Sequence, residues 1–196
     1  GINGSPTGGP FKAVEPPKEL DWNFWLGQAP KVDYMEKRCH YEFRWWYEYS
    51  GGKMTDWGAH HIDISQWGLG KDHSGPVKIS GKGTFGNVVP EKFDWGAYFA
   101  GKASLPNGFN TPVAFSIDCE FDNGAVLHVC DNYVRPEDKI EFNNGILFEG
   151  EDGRIFVDRG SLKGKPVEEM TESDKKRLHE EVVKLYGGEP GDHMRN

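Results

Sequence analysis

The chain lacks the features that would place it in several large classes of protein. It has only three cysteines and no CxxC pair, which argues against a disulfide framework and against a typical zinc site. No apolar run is long enough to cross a bilayer, and no signal-peptide pattern is present. The net charge of -8 argues against a nucleic-acid-binding surface and against a polybasic contact with a membrane.

A dinucleotide-binding fingerprint is also missing, because no GxGxxG turn follows a predicted strand. The chain is instead rich in glycine, tryptophan, tyrosine and phenylalanine. Aromatic side chains among Asp, Asn and Glu suit stacking on sugar rings, although the same residues also fill the cores of sheets. The 196 residues are enough for one sizeable core.

The stretch GGKMTDWGAHHIDISQWGLG, residues 51–70, holds the densest group of reactive side chains. Its spacing predicts a helix with Thr55 at the N-cap and glycines at its end. Asp56, His60, Asp63 and Trp67 then share one stripe. An imidazole between two carboxylates is typical of a proton-transferring histidine, whereas the structural alternative has Asp56 capping the helix and the histidines in the core.

The rest of the pattern predicts an α+β fold. Residues 1–35 read as an extended Gly/Pro-rich arm with an aromatic loop, and residues 36–196 as a single α+β domain. We expect an open, largely antiparallel β-sheet from about residue 76 to 160, with the helix that carries His60 on one face.

Turn and cap signals support this prediction. Residues 75–85 alternate as a half-buried strand with Val77 and Ile79 on the inner side. Hairpin turns are predicted at Asp122–Gly124 and at Glu151–Gly153, with Cys119 and Cys130 on paired strands. A capping box at residues 171–174 begins a last helix that ends at the glycines 187–188.

The sequence GGKMTDWGAHHIDI closely resembles the GG-x-x-x-D-x-G-x-H-x-x-D signature of the glucose-fructose oxidoreductase/inositol dehydrogenase/MocA family. The flanking stretches SPTGGP, DWNFWLG, FRWWYEYSGG, SGPVKISGKGTF and NNGILFEGEDGRIFVDRGSL resemble the bacterial-type C-terminal substrate domain of that family in the same order. Together they cover most of the chain.

The resemblance implies roles for particular residues. Asp56 and His60 match the family's catalytic pair: His60 would take the hydroxyl proton, and Asp56 would orient it or bind a substrate hydroxyl. Independently of the resemblance, Arg44 and Trp46 immediately precede the Gly-Gly entry and should lie near the mouth of the site. They are expected to contact the substrate together with Lys53, Trp57 and Asp63. For Trp46 packing beneath the helix is an equal alternative.

The resemblance also implies a longer parent protein. Family members place a Rossmann domain for NAD or NADP first, and neither that domain nor its Glu-Lys-Pro segment occurs here. The strand and helix that usually follow the HMRN-like position are missing too, so the chain is predicted to be truncated at both ends. We expect no dinucleotide binding by this chain alone, and self-association through an apolar outer sheet face.

The parent would thus be an NAD(P)-dependent sugar or polyol dehydrogenase, with this part inactive by itself. Two alternatives remain open. One is a stand-alone carbohydrate-binding or oligomerisation module, in which Trp45, Trp46 and Trp57 matter more than His60. The other is a metal-assisted lyase or hydrolase with Asp56, His60 and Asp63 as ligands.

Overall fold

The structure is a computed structural model that describes residues 1–137, 139, 141–142 and 144–188, with only the backbone of residue 186. Contacts within the chain divide it into two units, residues 1–143 and 144–196. The predicted boundary at residue 35 is not tested by this division and stays a prediction. The HMRN-like tail lies outside the described residues. No helix among the described residues is long and apolar enough to span a membrane.

The first unit contains the predicted helix, a three-stranded sheet and several short elements. Its helices are α1 (Trp22–Leu26), α2 (Trp57–Gly68) and α3 (Trp95–Phe99), and short 3-10 turns occupy Glu36–Arg38, His40–Trp45 and Gly52–Met54. Its strands are β1 (Lys78–Thr84), β2 (Ala114–Glu120), β3 (Val126–Cys130), β4 (Tyr133–Val134) and β5 (Glu141–Phe142).

The second unit is a small sheet with two helices. Its elements are β6 (Ile146–Gly150), β7 (Gly153–Val157), β8 (Leu162–Lys163), α4 (Lys165–Glu168) and α5 (Glu172–Tyr186). The hairpin between β6 and β7 turns where the sequence predicts it, since Gly150 pairs with Gly153. The capping box at Thr171 and Asp174 is present, and Gly187 ends α5 in the left-handed conformation with φ 70°.

The sheet of the first unit has the order β1-β2-β3, and both pairs are antiparallel. The predicted turn at Asp122–Gly124 joins β2 to β3, and Gly124 has φ 85°. One face of this sheet contributes Phe115 and Val129 to a core cluster that also contains Ile2. Side chains of α2, including Trp57 and Ile62, pack against the same cluster, so the helix lies on one face of the sheet as predicted.

Strand β1 forms where the sequence predicts it, but it is exposed along its whole length rather than half-buried. Val77 is 70% exposed and Ile79 64%. The cause is the register, because the positions facing Phe115 and Ile117 of β2 are glycines without side chains to bury. The opposite face of the sheet is polar, which contradicts the apolar outer face expected from the sequence. Its side chains include Lys78, Lys82, Asp118, Glu120 and His128.

A second core of the first unit consists of aromatic residues from distant parts of the chain. Met35, Trp45, Trp46 and Phe109 are buried together, and Phe11 packs against them. The aromatic stretch after residue 20 forms the one-turn helix α1 rather than the predicted loop. The Asp21 carboxylate caps that turn by accepting a hydrogen bond from the backbone N–H of Phe24, 3.0 Å away.

The α+β fold class is confirmed, since helices accompany open antiparallel sheets. The strands do not continue through one sheet from residue 76 to 160. Among the described residues they form sheets of three, two and three strands. The pattern of alternating residues predicts strands but not how they divide between sheets, because pairing beyond a hairpin depends on contacts distant in sequence.

Candidate functional site

The segment that begins α2 is fixed by close contacts that only glycine permits. Gly52 has φ 71°, and a Cβ atom built there would lie 2.5 Å from the Ser5 hydroxyl oxygen and 2.7 Å from the side chain of Thr111. The Thr55 hydroxyl accepts a hydrogen bond from the backbone N–H of Gly51 at 3.0 Å. Thr55 therefore stabilises the Gly-Gly turn, and the N-cap of α2 is Asp56, not Thr55 as predicted.

Helix α2 has two unlike faces. Gly58, His61 and Ser65 are buried at steps of three and four residues, which is one face of a helix. His61 is only 8% exposed, and the Ser65 hydroxyl donates to its carbonyl oxygen at 2.7 Å. On the opposite stripe Asp56 is half-buried, whereas His60, Asp63 and Trp67 are exposed. The polar groups singled out in the sequence thus lie on the face of α2 that the sheet does not use.

Asp56 is the most constrained side chain of that stripe. It occupies the N-cap position, yet its carboxylate makes no capping hydrogen bond. The Nη1 atom of Arg44 donates to its Oδ1 atom at 3.3 Å, and the Nζ atom of Lys53 lies 3.6 Å from its Oδ2 atom. All three side chains are mostly shielded from water, being 22% exposed or less. The structure therefore brings Arg44, Lys53 and Asp56 together, as three of the predicted site residues.

The Arg44 guanidinium has N–H donors that no described residue uses. Its guanidinium carbon lies 3.6 Å from the centre of the Tyr41 ring and 5.3 Å from that of Trp45. Its Nε and Nη2 atoms are buried and have no hydrogen-bond partner among the described residues. A buried donor without a partner costs about 1–3 kcal/mol, and more when it is charged. Such unpaired buried groups are few in native proteins.

His60 is exposed on α2 one turn after Asp56. Its ring lies 6.0 Å from the centre of the Trp57 ring, and among the described residues it makes no hydrogen bond or ion pair. The carboxylate of Asp56 is directed to Arg44 and Lys53 instead of the imidazole. The roles expected of Asp56, to orient His60 or to bind a substrate hydroxyl, and of His60 as the base stay predictions.

The tryptophans divide between the core and the site. Trp46 is 0% exposed, and its indole N–H donates to the carbonyl oxygen of Lys37 at 2.6 Å. Trp45 is also buried. The packing alternative therefore describes Trp46, and neither side chain offers a face on which a sugar could stack. Trp57 is half-buried at the start of α2, between the core and His60.

A buried polar network behind the site was not foreseen from the sequence. Arg38 is stacked 3.9 Å from the Trp46 ring centre and lies 3.4 Å from a Glu48 carboxylate oxygen. Asn110 is buried and donates to the other oxygen of Glu48 at 3.1 Å and to the Tyr98 hydroxyl at 3.2 Å. Burial and the neighbouring Glu48 charge raise the pKa of Tyr98. No sequence signal joins these groups, since 62 residues separate Glu48 from Asn110.

A second polar cluster lies on the outer face of the sheet. A pocket of about 220 Å³ is lined there by Lys82, Ser116, His128 and other residues of the three strands. The Nδ1 atom of His128 lies 2.5 Å from an Asp118 carboxylate oxygen. The hairpin signal at residues 122–124 could have found this pair, because a tight turn there fixes Asp118 opposite His128.

The metal-ligand alternative finds no geometric support. Across the described parts of the chain no three His, Cys, Asp or Glu side chains are placed to hold a metal ion. Asp56 is already neutralised by two cations, and this opposes its use as a metal ligand. The set of Asp56, His60 and Asp63 is therefore not assembled for coordination.

Comparison with known proteins finds a family match for the segment that contains this site. No curated protein matches the chain. The family model described as "Oxidoreductase family, C-terminal alpha/beta domain" matches residues 9–85, which include Arg44, the Gly-Gly turn, the whole of α2 and strand β1. The match spans less than half of the chain, but it covers every predicted site residue. The resemblance read from the sequence is confirmed: residues 9–85 are similar to the C-terminal α/β domain of the oxidoreductase family that includes glucose-fructose oxidoreductase, inositol dehydrogenase and MocA.

Proposed function

We propose that this chain is the substrate-binding and catalytic part of an NAD(P)-dependent oxidoreductase that oxidises a hydroxyl group of a sugar or polyol. One observation carries the proposal. Within the segment similar to the oxidoreductase family, α2 keeps His60 exposed one turn after the ion-paired Asp56, while its opposite face packs on the sheet. An imidazole that does not contribute to packing is available for proton transfer.

The chemistry requires a base and polar groups that hold the alcohol. Oxidation of a CH–OH group to a carbonyl removes a hydride from carbon and a proton from oxygen. A ring nitrogen of His60 accepts that proton, since histidine is the side chain best suited to exchange protons near neutral pH. Asp56, Lys53 and Asp63 hold neighbouring hydroxyl groups by hydrogen bonds. The Trp57 ring borders His60 with an edge-to-face contact at 6.0 Å.

A nicotinamide dinucleotide supplies the hydride acceptor for this reaction when it is bound. The residues described here do not fit that group. A dinucleotide is held at the carboxyl ends of parallel strands, with its phosphates at the start of a helix, whereas every strand pair in the described residues is antiparallel. We therefore assign the cofactor to another part of the full-length protein. Calorimetric titration of this chain with NAD or NADP should detect no tight binding, and a micromolar dissociation constant would contradict that assignment.

The proposal is tested by steady-state kinetics of the full-length protein with a panel of sugars and polyols. Substituting His60→Ala should lower kcat by about 10²–10⁴-fold, the usual effect of removing a positioned base. Substituting Asp56→Asn should mainly raise KM, because Asp56 is fixed by cations rather than bound to His60. Unchanged kcat in a folded His60→Ala variant would rule His60 out as the base.

Self-association is the second part of the proposal. Strand β1 is an edge strand among the described residues, and the side chains of Ile79 in the strand and of Val77 just before it are exposed. An open edge with apolar side chains favours pairing with another copy. Sedimentation velocity should show a concentration-dependent dimer, and a strict monomer at high concentration would count against it.

A further inference from the structure

We propose that Arg44 and Lys53 form a binding site for an oxyanion, so that the substrate is an acidic sugar carrying a carboxylate or a phosphate group. The inference rests on the proposed function, because it adds a substrate class to the site on the exposed face of α2. It depends on three properties of the site: the unpaired donors on one edge of the Arg44 guanidinium, the local balance of charge, and the exposure of the Tyr41 ring that stacks on the guanidinium.

The first property is the geometry of the Arg44 guanidinium. Only its Nη1 atom is used, in the hydrogen bond to Asp56. The Nε and Nη2 atoms, which have no hydrogen-bond partner among the described residues, lie on one edge of the planar group. Two parallel N–H groups on one edge match the two oxygens of a carboxylate or phosphate. The edge that remains is therefore one that binds an oxyanion in bidentate fashion.

The second property is charge. Arg44 and Lys53 carry two positive charges, and the Asp56 carboxylate between them carries one negative charge. The neighbouring Glu42 does not cancel the remainder. One of its oxygens accepts from Lys37 at 3.2 Å and the other from the Trp45 indole at 2.8 Å. A local positive excess thus persists in a chain whose net charge is -8, and it favours an anionic ligand.

The third property is access. The Tyr41 ring stacks on the Arg44 guanidinium, although the Tyr41 side chain is itself 63% exposed. Its ring has an edge-to-face contact with Trp45 at 6.1 Å, and a cation–π contact at an exposed site contributes only about 0.5–1 kcal/mol. Rotation of this one exposed side chain opens a face of the guanidinium to solvent. His60 lies on α2 about 6 Å further along the axis than Asp56, within the span of one sugar ring.

The test is binding of matched sugars to the chain by isothermal titration calorimetry. D-glucose is the neutral probe, D-glucuronate has the same ring with a carboxylate, and glucose 6-phosphate carries a phosphate. We expect at least one acidic sugar to bind about 10- to 100-fold more tightly than glucose, the gain typical of a hydrogen-bonded charged pair. The gain should shrink between about 0.01 M and 0.15 M salt, as screening shortens the range of the charges.

Variants test whether the gain in affinity for the acidic sugar comes from Arg44 and Lys53. Arg44→Gln should abolish the preference for the acidic sugar, and Lys53→Gln should weaken it. Arg44→Lys keeps the charge but loses the paired N–H groups, so it should also lose most of the preference. Lys78→Gln is the matched control, because it also removes a lysine that is ion-paired with a carboxylate, away from α2. If Arg44→Gln does not fold, Arg44→Lys and Lys53→Gln carry the test.

The outcomes separate this inference from the proposed function. Tighter binding of glucuronate identifies a carboxylate and tighter binding of glucose 6-phosphate identifies a phosphate, and both support the oxyanion site. Equal binding of glucose and both acidic sugars overturns it, as does a preference that survives Arg44→Gln. Oxidation of a neutral sugar that depends on His60 would then leave the proposed function standing. An Arg44-dependent preference without His60-dependent oxidation would support the site and contradict the proposed function.

Discussion

The two longest helices begin in opposite ways. At the start of α5, the Thr171 hydroxyl accepts from the backbone N–H of Asp174 at 3.2 Å, and the Asp174 carboxylate accepts from the backbone N–H of Thr171 at 3.1 Å. At the start of α2, Asp56 holds the equivalent N-cap position but makes no capping bond. Its carboxylate bonds to Arg44 and Lys53 instead. The Asp174 carboxylate stabilises its helix, whereas the Asp56 carboxylate belongs to a polar cluster with Arg44 and Lys53.

This difference identifies where α2 obtains its stability. A helix without a side-chain cap depends on packing and on the turn that leads into it. In α2 these are the buried face, with His61 and Ser65, and the Gly-Gly turn held by Thr55. The opposite face, with the half-buried Asp56 and the exposed His60, is then free to carry residues that do not favour the helix. Such a departure from local preference is expected at a functional site.

The largest effect on stability should come from Gly52→Ala. The substitution forces a side chain into a left-handed conformation and places its Cβ against Ser5 and Thr111. We expect the free energy of unfolding to fall by about 2–5 kcal/mol, measured by denaturant titration. Gly70→Ala is the control, since Gly70 has a similar φ of 65° with no atom within 4 Å of the added Cβ. Equal losses at the two glycines would show that packing at Gly52 is unimportant.

A smaller effect is expected when the cluster at Asp56 is broken. Asp56→Asn leaves Arg44 and Lys53 without their common partner and should lower the free energy of unfolding by about 1–3 kcal/mol. The loss should not add to that of Arg44→Gln, because the two side chains share one interaction. A double-mutant cycle measures the coupling. If the two losses of unfolding free energy were strictly additive, Asp56 would stabilise the start of its helix, as Asp174 does, and not act through its bond to Arg44.

Thr171→Ala should cost about 1 kcal/mol, the usual value for loss of an N-cap. Hydrogen exchange of the α5 amides measures this effect within the second unit. Thr171→Ser keeps the hydroxyl and should retain most of the protection. If Thr171→Ala left exchange in α5 unchanged, the capping box would not be what stabilises the start of that helix.

The smallest effect is the response of α5 to acid. Hydrogen bonds from Thr171 hold the pKa of the Asp174 carboxyl below its ordinary value of 3.8. A carboxyl whose pKa is lowered by folding adds stability above its ordinary pKa, and that stability is lost as the pH falls through the lowered value. Helix content followed by circular dichroism should therefore drop more steeply below pH 3.8 in the native chain than in Asp174→Asn. Parallel curves would contradict this account.

The sequence predicts the local features of this molecule much better than its long-range contacts. The turn at residues 122–124, the capping box at Thr171 and the helix around His60 follow from short patterns, and all three are present. The two faces of α2 follow from periodicity as well. The partners of Asp56 do not, because Arg44 lies on a separate 3-10 turn twelve residues earlier.

The sequence likewise does not predict which aromatic residues are buried. Trp46 and Trp57 look alike in sequence as candidates for stacking on a sugar, but Trp46 is enclosed by Phe11 and Phe109 from distant segments. The exposure of β1 depends on which residues lie opposite its glycines, and only the register with β2 decides that. Contacts of this kind are set by the whole fold rather than by neighbouring residues.

The central claim is that the exposed His60, and not the buried His61, is the base. Chemical rescue tests it most directly in the full-length protein, where a small base added to the solution replaces a missing side chain. Both His60→Ala and His61→Ala are assayed for turnover with and without imidazole, and their unfolding is measured in parallel. We predict that imidazole restores turnover only to His60→Ala, whose stability changes by less than about 0.5 kcal/mol. His61→Ala should lose about 1–3 kcal/mol of stability and little turnover. Rescue of His61→Ala, or near-normal turnover in His60→Ala without imidazole, would contradict the assignment.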